Sequence, residues 1–208
     1  MDSCRIKLQQ GLADMMLELP EVQQENLLRF IALINKWNKA YNLTAVRNPD
    51  DMVNLHVLDS LAILAHIKPT RIADIGTGAG LPGIPLAICR PDCEFVLVDS
   101  NAKKTRFVTQ AVLELQLKNV EVVHSRVELF KPANLFSTVI TRAFAEMTDI
   151  IKLTKHLLAA EGLLLAMKGR QPDQELQSLQ LEFDIVPLMV PGIDAERCLI
   201  RVENAQHG

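Results

Sequence analysis

The sequence predicts an α/β fold: a seven-stranded, mostly parallel sheet with helices on both faces, preceded by a helical extension. Three observations predict it. After Pro69, short runs rich in Val, Ile and Leu alternate with helix-length segments, the pattern of strands joined by crossover helices. A glycine-rich turn, Gly76-Thr77-Gly78-Ala79-Gly80, joins the first of these runs to the segment after it. Before Pro69 the apolar residues recur at helical spacing. The chain therefore divides into a helical extension over residues 1–66, packed on the core, and one compact unit over 67–208.

Residues from about 3 to 18 carry Ile6, Leu8, Leu12, Met15, Met16 and Leu19 at mixed helical spacing, and Pro20 closes that segment. From Glu21 to Ala40 the pattern is cleaner. Leu27, Phe30, Ile31, Ile34, Trp37 and Tyr41 form one apolar face, and Lys36 and Lys39 suit the negative end of the helix dipole. A connector over 42–47 follows. Asn48 then offers a cap, Pro49 fits a first helical turn, and Asp50 and Asp51 suit the positive end of the dipole. This third helix is expected to run to about His66, with His56, Asp59 and Ser60 as its polar residues.

The first strand spans about 71–75, with Asp74 near its carboxyl end. Gly76, Gly78 and Gly80 allow positive φ, and the next helix, with Pro82 in its first turn, runs to about Cys89. Strand two, 94–98, ends at Asp99, and Lys103-Lys104-Thr105-Arg106 opens the following helix. Strand three, 120–124, leads into Ser125-Arg126-Val127-Glu128. Strand four, 137–140, leads into Thr141-Arg142-Ala143-Phe144, and a helix covers about 147–159. Strand five, 163–167, ends at Lys168-Gly169. A polar, helix-favouring stretch near 172–180 precedes two runs, 183–188 and 197–202, that read as a closing antiparallel pair.

Composition narrows the function classes. The formal net charge of −3 argues against a generic nucleic-acid coat, though a local basic face could still dock one folded RNA. No window approaches the roughly 20 consecutive apolar residues of a membrane span, and the polar start Met1-Asp2-Ser3-Cys4-Arg5 lacks a signal-peptide core. A cytoplasmic protein is expected. Cys89 and Cys93 are four apart without a second Cys/His pair, so neither a metal nor a disulfide is expected.

The glycine turn carries the first chemical signal. A strand, a glycine turn and a helix N-terminus together present free N–H groups to an anion. The dinucleotide fingerprint G-x-G-x-x-G fails, because Leu81 stands at its last position. The P-loop pattern also fails, since no Lys-Ser/Thr pair follows Gly83. Asp74-x-Gly76-x-Gly78-x-Gly80 instead resembles the first motif of class I S-adenosylmethionine (SAM) methyltransferases, a Rossmann-like fold. Asp99, about 20 residues past the turn, stands where α/β nucleotide binders hold ribose hydroxyls. Val127 and Glu128 offer an apolar surface for an adenine ring and an acceptor for its amino group.

Four groups of residues carry a closer resemblance. They are Trp37-Asn38-Lys39-Ala40-Tyr41-Asn42-Leu43-Thr44-Ala45; His56-Val57-Leu58-Asp59-Ser60-Leu61; the glycine motif from Asp74 to Leu86; and Ser125-Arg126-Val127-Glu128 with Arg142-Ala143-Phe144-Ala145 and Met167-Lys168-Gly169. From about residue 20 to 202 the chain resembles the glucose-inhibited division protein B family, the RsmG methyltransferases of bacterial small-subunit ribosomal RNA. The glycine motif alone indicates a SAM enzyme; the Asn-Leu-Thr-Ala and His-x-x-Asp-Ser segments narrow it to this family. The resemblance implies methyl transfer from SAM to N7 of a guanine near the decoding region of 16S rRNA. It implies cofactor contacts by Gly76 and Leu81, adenine contacts by Val127 and Glu128, and Arg142 near the methionine end. Two departures stand out. Cys198 follows Arg197 where the family more often has histidine, and Asn101-Ala102 replaces a commoner glycine-bearing pair.

The expected cofactor site is therefore Asp74, Gly76, Gly78, Gly80, Leu81, Asp99, Val127, Glu128 and Arg142. Arg47, Lys103, Lys104, Arg106, Arg126, Lys168 and Arg197 are candidates for a basic RNA face, with Arg142 and Lys168 also candidate positioning groups. Guanine N7 carries a lone pair and no proton, so no general base is needed, only alignment and exclusion of water. Consistent with this, no Asn/Asp-Pro-Pro-Tyr run follows strand four and no cysteine stands at a strand end as a nucleophile. The expected partner is 16S rRNA or the small ribosomal subunit, and a monomer is expected. Two other readings remain open on the sequence: a SAM enzyme for a small molecule with the N-terminal helices as a lid, and a SAM-binding regulator without turnover.

Overall fold

The computed structural model describes residues 2–172, 175–176 and 181–203. It contains a seven-stranded sheet in the order β3-β2-β1-β4-β5-β7-β6. The strands are β1 (Arg71–Ile75), β2 (Glu94–Asp99), β3 (Val120–His124), β4 (Phe136–Arg142), β5 (Leu158–Lys168), β6 (Phe183–Pro187) and β7 (Cys198–Glu203). The pairs β1–β2, β1–β4, β2–β3 and β4–β5 are parallel, whereas β7 runs antiparallel to both β5 and β6. The chain leaves β1 toward β2 on one side and later returns to β4 on the other. That reversal opens a crevice at the strands' carboxyl ends, where ligands of open α/β sheets bind.

The two faces are covered differently. Ile72, Phe95, Leu97, Ile140 and Leu165 face a layer made by the N-terminal helices α1 (Asp2–Asp14) and α2 (Glu21–Tyr41) together with α5 (Gly83–Cys89) and α6 (Ala102–Glu114). Ala73, Val96, Val98, Val139 and Leu164 face α7 (Met147–Thr154). The alternation along each strand is the period-two pattern of a sheet buried on both sides. The extension is joined to the core through aromatic packing. Phe30 on α2 stacks on Phe107 of α6 at 6.5 Å, and Trp37 approaches the same ring at 5.8 Å. Phe107 is fully buried, and removing such a ring costs about 3–5 kcal/mol.

Several boundaries differ from expectation for identifiable reasons. The first helix ends at Asp14, not near 18, because Met16 adopts a left-handed φ of 54° and turns the chain. Pro82 caps α5 instead of lying inside it, since Gly80 and Leu81 both donate to Thr77 O and the turn closes first. β5 begins at Leu158, five residues early, because Leu157 and Leu158 are buried and Leu158 already pairs with Phe136. The expected third helix is composite: an α-turn α3 (Pro49–Met52), a π-helical turn Val53–Leu58, a short α4 (Asp59–Leu61) and a 3₁₀ turn Leu64–His66. The wider π turn lets His56, Asp59 and Ser60 all point inward, and all three are buried. Within the helix expected near 172–180, Asp173, Gln174 and residues 177–180 lie outside the described residues.

Candidate functional site

A cavity of about 430 Å³ lies across the carboxyl ends of β3, β2, β1 and β4. Its lining follows strand order. Ser125, Arg126, Val127 and Glu128 come after β3, Asp99 ends β2 and Ser100 follows it, Ile75 ends β1 and Gly76 follows it, and Ala143 and Phe144 come after β4. Lys104 on α6 completes the wall. The volume is within the range of small-molecule sites.

Beneath the cavity lies a backbone cradle, of which Gly76 reaches the lining while Gly78 and Gly80, also expected at the cofactor, stand outside it. Gly76, Gly78 and Gly80 have φ of +72°, +60° and +78°, the region that favours glycine. A Cβ on Gly78 would make only ordinary contacts, 3.9 Å from Gly76 O and 4.0 Å from Lys104 Nζ, so it is the positive φ and not crowding that calls for glycine there. Asp99 ties the cradle to β2. Its Oδ2 accepts from Gly78 N at 2.8 Å and its Oδ1 from Asn101 N at 2.8 Å. Asn101, not Asp99 or Ser100, caps α6, accepting from Lys103 N and Lys104 N. Asp99 is thereby left to the cavity, where spare lone pairs suit ribose hydroxyls.

Asp74 does different work from that expected. It is fully buried beneath the turn and absent from the cavity wall. Its Oδ2 accepts from Thr77 Oγ1 at 2.7 Å and Gly83 N at 2.9 Å, pinning both ends of the glycine turn. Burial pushes its carboxyl up to about 6, against the opposing pull of those two donors. Leu81 likewise packs in the core outside the cavity. Asp74 and Leu81 therefore shape the cradle from behind.

Beyond the β4 end lies a charged cluster built by three strands and the extension. Register places Arg142 opposite Met167, and Lys168 opposite Cys198, so Arg142, Lys168 and Arg197 lie at neighbouring strand ends. Arg142 Nη1 donates to Asp59 Oδ2 and Arg197 Nε to Asp59 Oδ1, each at 3.0 Å. Arg142 was expected at the cofactor. Its guanidinium instead turns to the extension, because the buried Asp59 carboxylate needs a partner there. Lys168 Nζ donates to Glu175 Oε2 at 2.9 Å and Ala145 O at 2.8 Å. Three cations meet two carboxylates, a formal balance of +1 for these five side chains.

The two segments that narrowed the sequence resemblance converge on this cluster. Asn38, buried at the end of α2, receives Thr44 N and donates to Val46 O, both at 3.0 Å. Thr44 Oγ1 then meets His56 Nε2 at 2.9 Å. Burial holds the His56 imidazole down to about 4, so it is neutral at neutral pH. The π turn carrying His56 leads directly to Asp59.

The remaining basic candidates separate. Lys104 and Arg126 line the cavity, while Lys103 and Arg106 are exposed on α6 outside its lining, Arg106 in a separate depression against Val122 and His124 of β3. None of the four forms an ion pair among the described residues. Arg47 lies apart, donating to Asn42 Oδ1 and Asn38 O. Ser100, Ser125, Ala143 and Phe144 line the cavity without having been singled out from the sequence as site residues. The signal that could have found them is their place one or two residues past a strand end. Cys4, Cys89, Cys93 and Cys198 are buried free thiols, and no group of metal-ligating side chains occurs among the described residues. No helix among them is long and apolar enough to cross a membrane.

Comparison with known proteins adds to this geometry. Residues 23–199 match the family model described as rRNA small subunit methyltransferase G. A protein of that name from Nitrosococcus oceani is 50% identical over 204 residues, covering 97% of this chain and 95% of that protein. One from Methylobacillus flagellatus is 51% identical over 195 residues, covering 93% and 95%. Among solved structures, the N-methyltransferase NodS from Bradyrhizobium japonicum, in complex with S-adenosyl-L-homocysteine (SAH), superposes with a TM-score of 0.57. It is 16% identical and the overlap covers 82% of this chain and 98% of that one, a likeness of fold alone.

Proposed function

The chain belongs to the rRNA small subunit methyltransferase G family, and from that premise we propose that it transfers a methyl group from SAM to N7 of a guanine in 16S rRNA, near the decoding region. SAM supplies an electrophilic methyl on a sulfonium. The observation that carries the reading is the order of groups across the sheet. Val127 and Glu128 suit adenine, Asp99 suits the ribose, and Gly76 just past the end of β1 suits the methionine portion. The reacting end of the cofactor then falls at β4, next to the cationic cluster.

The residues around that end position and neutralise. Guanine N7 loses no proton on methylation, so the site needs no base, and no cysteine lines the cavity. Arg142, Lys168 and Arg197 present guanidinium and ammonium donors for backbone phosphates of the substrate, while Lys104 and Arg126 on the cavity wall and the exposed Lys103 and Arg106 on α6 extend the basic surface. The chain is taken to act as a monomer.

The test is transfer of labelled methyl from SAM to unmodified small subunits, large subunits and protein-free 16S rRNA, followed by nucleoside analysis. Label recovered as 7-methylguanosine from one small-subunit loop is expected. Intact SAM binding with no label in any RNA would replace the reading with a small-molecule methyltransferase.

A further inference from the structure

We propose that Phe144 is the platform on which the acceptor base stacks, and that its ring face stabilises the positive charge that methylation places on that base. The inference rests on the guanine-N7 reading above and names the residue that meets the base.

Position is the first argument. Phe144 lies two residues past the end of β4, on the side of the cavity where the cofactor's reacting end falls. Its ring rests against Gly76, so closely that a Cβ there would stand 2.6 Å from Phe144 Cδ2.

Scarcity is the second. The chain has seven Phe, one Trp and one Tyr. Phe30, Phe95, Phe107 and Phe136 are fully buried, and Trp37 and Tyr41 pack on each other at 5.2 Å. Phe144 is the one aromatic lining the cavity, it is half-buried, and no other ring pairs with it among the described residues.

Its backbone is held firmly. Lys168 Nζ donates to Ala145 O at 2.8 Å, and Glu175 Oε2 accepts from both Lys168 Nζ and Met147 N. The Lys168–Glu175 pair therefore brackets the segment that presents the ring.

The chemistry explains why an aromatic face belongs there. As the N7–CH₃ bond forms, the CH₃–S bond breaks and its electron pair stays on sulfur, leaving a neutral thioether. No proton moves. The positive charge passes from the sulfonium to the guanine ring. Base–aromatic stacking contributes already with the neutral base. A ring quadrupole attracts the cationic base more strongly, so the interaction grows toward the transition state, which is the condition for raising kcat. The nearby cationic cluster has the wrong sign for this task and suits phosphate instead.

The experiment compares wild type, Phe144→Leu and Phe144→Tyr on unmodified small subunits, reading kcat, KM for the RNA and SAM affinity by equilibrium dialysis. Leucine keeps apolar bulk and removes the π face; tyrosine keeps the face. Phe144→Leu is expected to lower kcat roughly 30-fold, about 2 kcal/mol at 1.36 kcal/mol per tenfold. SAM affinity should stay within about threefold and Phe144→Tyr should restore kcat. A binding readout accompanies it: with SAH present, wild type should prefer methylated over unmethylated 16S rRNA more than Phe144→Leu does. An unchanged kcat in Phe144→Leu overturns the inference, as does a loss that tracks SAM affinity. Tighter SAM binding at unchanged kcat would make the ring a plug and also overturn it. A wild type that forms 7-methylguanosine while Phe144→Leu does so equally well removes this inference alone; a wild type that forms none removes the acceptor assignment with it.

Discussion

Arg142, at the carboxyl end of β4, donates to Asp59 in the helical extension at 3.0 Å, across 83 residues of sequence. The bond couples the element that precedes the sheet to the strand end beside the cofactor cavity. Asp59 is 4% exposed and also holds Arg197, so two guanidinium groups depend on one carboxylate. Removing Asp59 leaves both cations facing a partly buried gap, whereas removing Arg142 leaves Asp59 still paired. Asp59→Ala is therefore expected to cost about 3 kcal/mol in urea unfolding, and Arg142→Ala clearly less. Equal losses in the two variants would show that Asp59 does not couple them. Methyl transfer should fall in both, with SAM affinity largely kept, because neither side chain lines the cavity.

The glycine turn predicts a contrast between two alanine variants. Gly83 has no left-handed φ, yet a Cβ there would stand 2.2 Å from Leu97 Cδ2 and 2.7 Å from Asp74 Oδ2. Gly83→Ala overpacks the core and displaces the pin beneath the cradle, at about 1–3 kcal/mol of stability. Gly78 is the reverse case: its Cβ would make only ordinary contacts with Gly76 O and Lys104 Nζ, but its φ is +60°. Gly78→Ala should cost about 1 kcal/mol of stability and mainly weaken SAM binding, because strain at this φ disturbs the Gly78 N–Asp99 bond that orients a carboxylate of the cavity wall. Unfolding curves and SAM titrations on the two variants check this; equal loss of SAM affinity at equal stability would contradict it.

The fold was legible because the strands are short apolar runs closed by turn residues and the glycine motif fixes the first crossover. The third helix was not legible as observed. A π turn leaves no periodicity signal over six residues, and its effect, turning His56, Asp59 and Ser60 inward together, is visible only with β4 and β7 in place. Arg142 shows the same limit. Its strand-end position is readable, but the direction of its guanidinium depends on Asp59, which the chain brings near only on folding. Asp74 was readable as part of a motif, not as its buried support, since burial beneath a turn is a tertiary fact. Asp99 was the most transparent residue, because strand end and spacing from the turn both place it.

Two buried groups predict opposing pH effects. Asp74 titrates at about 6 in the fold against 3.8 unfolded. Its folded value is raised, so its contribution is most favourable below pH 4 and is lost as pH rises through 6, about 3 kcal/mol in all. His56 titrates at about 4 against 6.5. Its folded value is depressed, so its contribution is present above pH 6.5 and is lost as pH falls through 4, again about 3 kcal/mol. Between pH 4 and 6.5 the two largely cancel in the wild type. His56→Gln removes one arm. Relative to wild type, this variant should gain up to about 3 kcal/mol as pH falls from 6.5 to 4. Asp74→Asn should lose about that much over the same interval. Urea unfolding at a series of pH values reads both slopes, and parallel curves for the three proteins would refute the assignments.

The exposed basic residues of α6 and of the segment after β3 predict a salt signature that separates them from Phe144. Lys103, Arg106 and Arg126 are exposed and form no ion pair among the described residues, so each is available to neutralise a phosphate. A phosphate contact releases counterions, and losing one lowers the slope of log K against log salt by about 1. Arg126→Gln is expected to weaken RNA binding and flatten that slope by about 1, because Arg126 also borders the cavity where the substrate must approach. Arg47, about its neighbours Asn38 and Asn42 and away from the cavity, should change the slope less when replaced by Gln. Phe144→Leu should leave the slope alone, since stacking releases no counterion. Binding of 16S rRNA across a salt series with these variants tests all three at once. A slope unchanged in Arg126→Gln would remove that residue from the RNA face, and a slope altered in Phe144→Leu would mean that the loop after β4 positions phosphate contacts instead of a base.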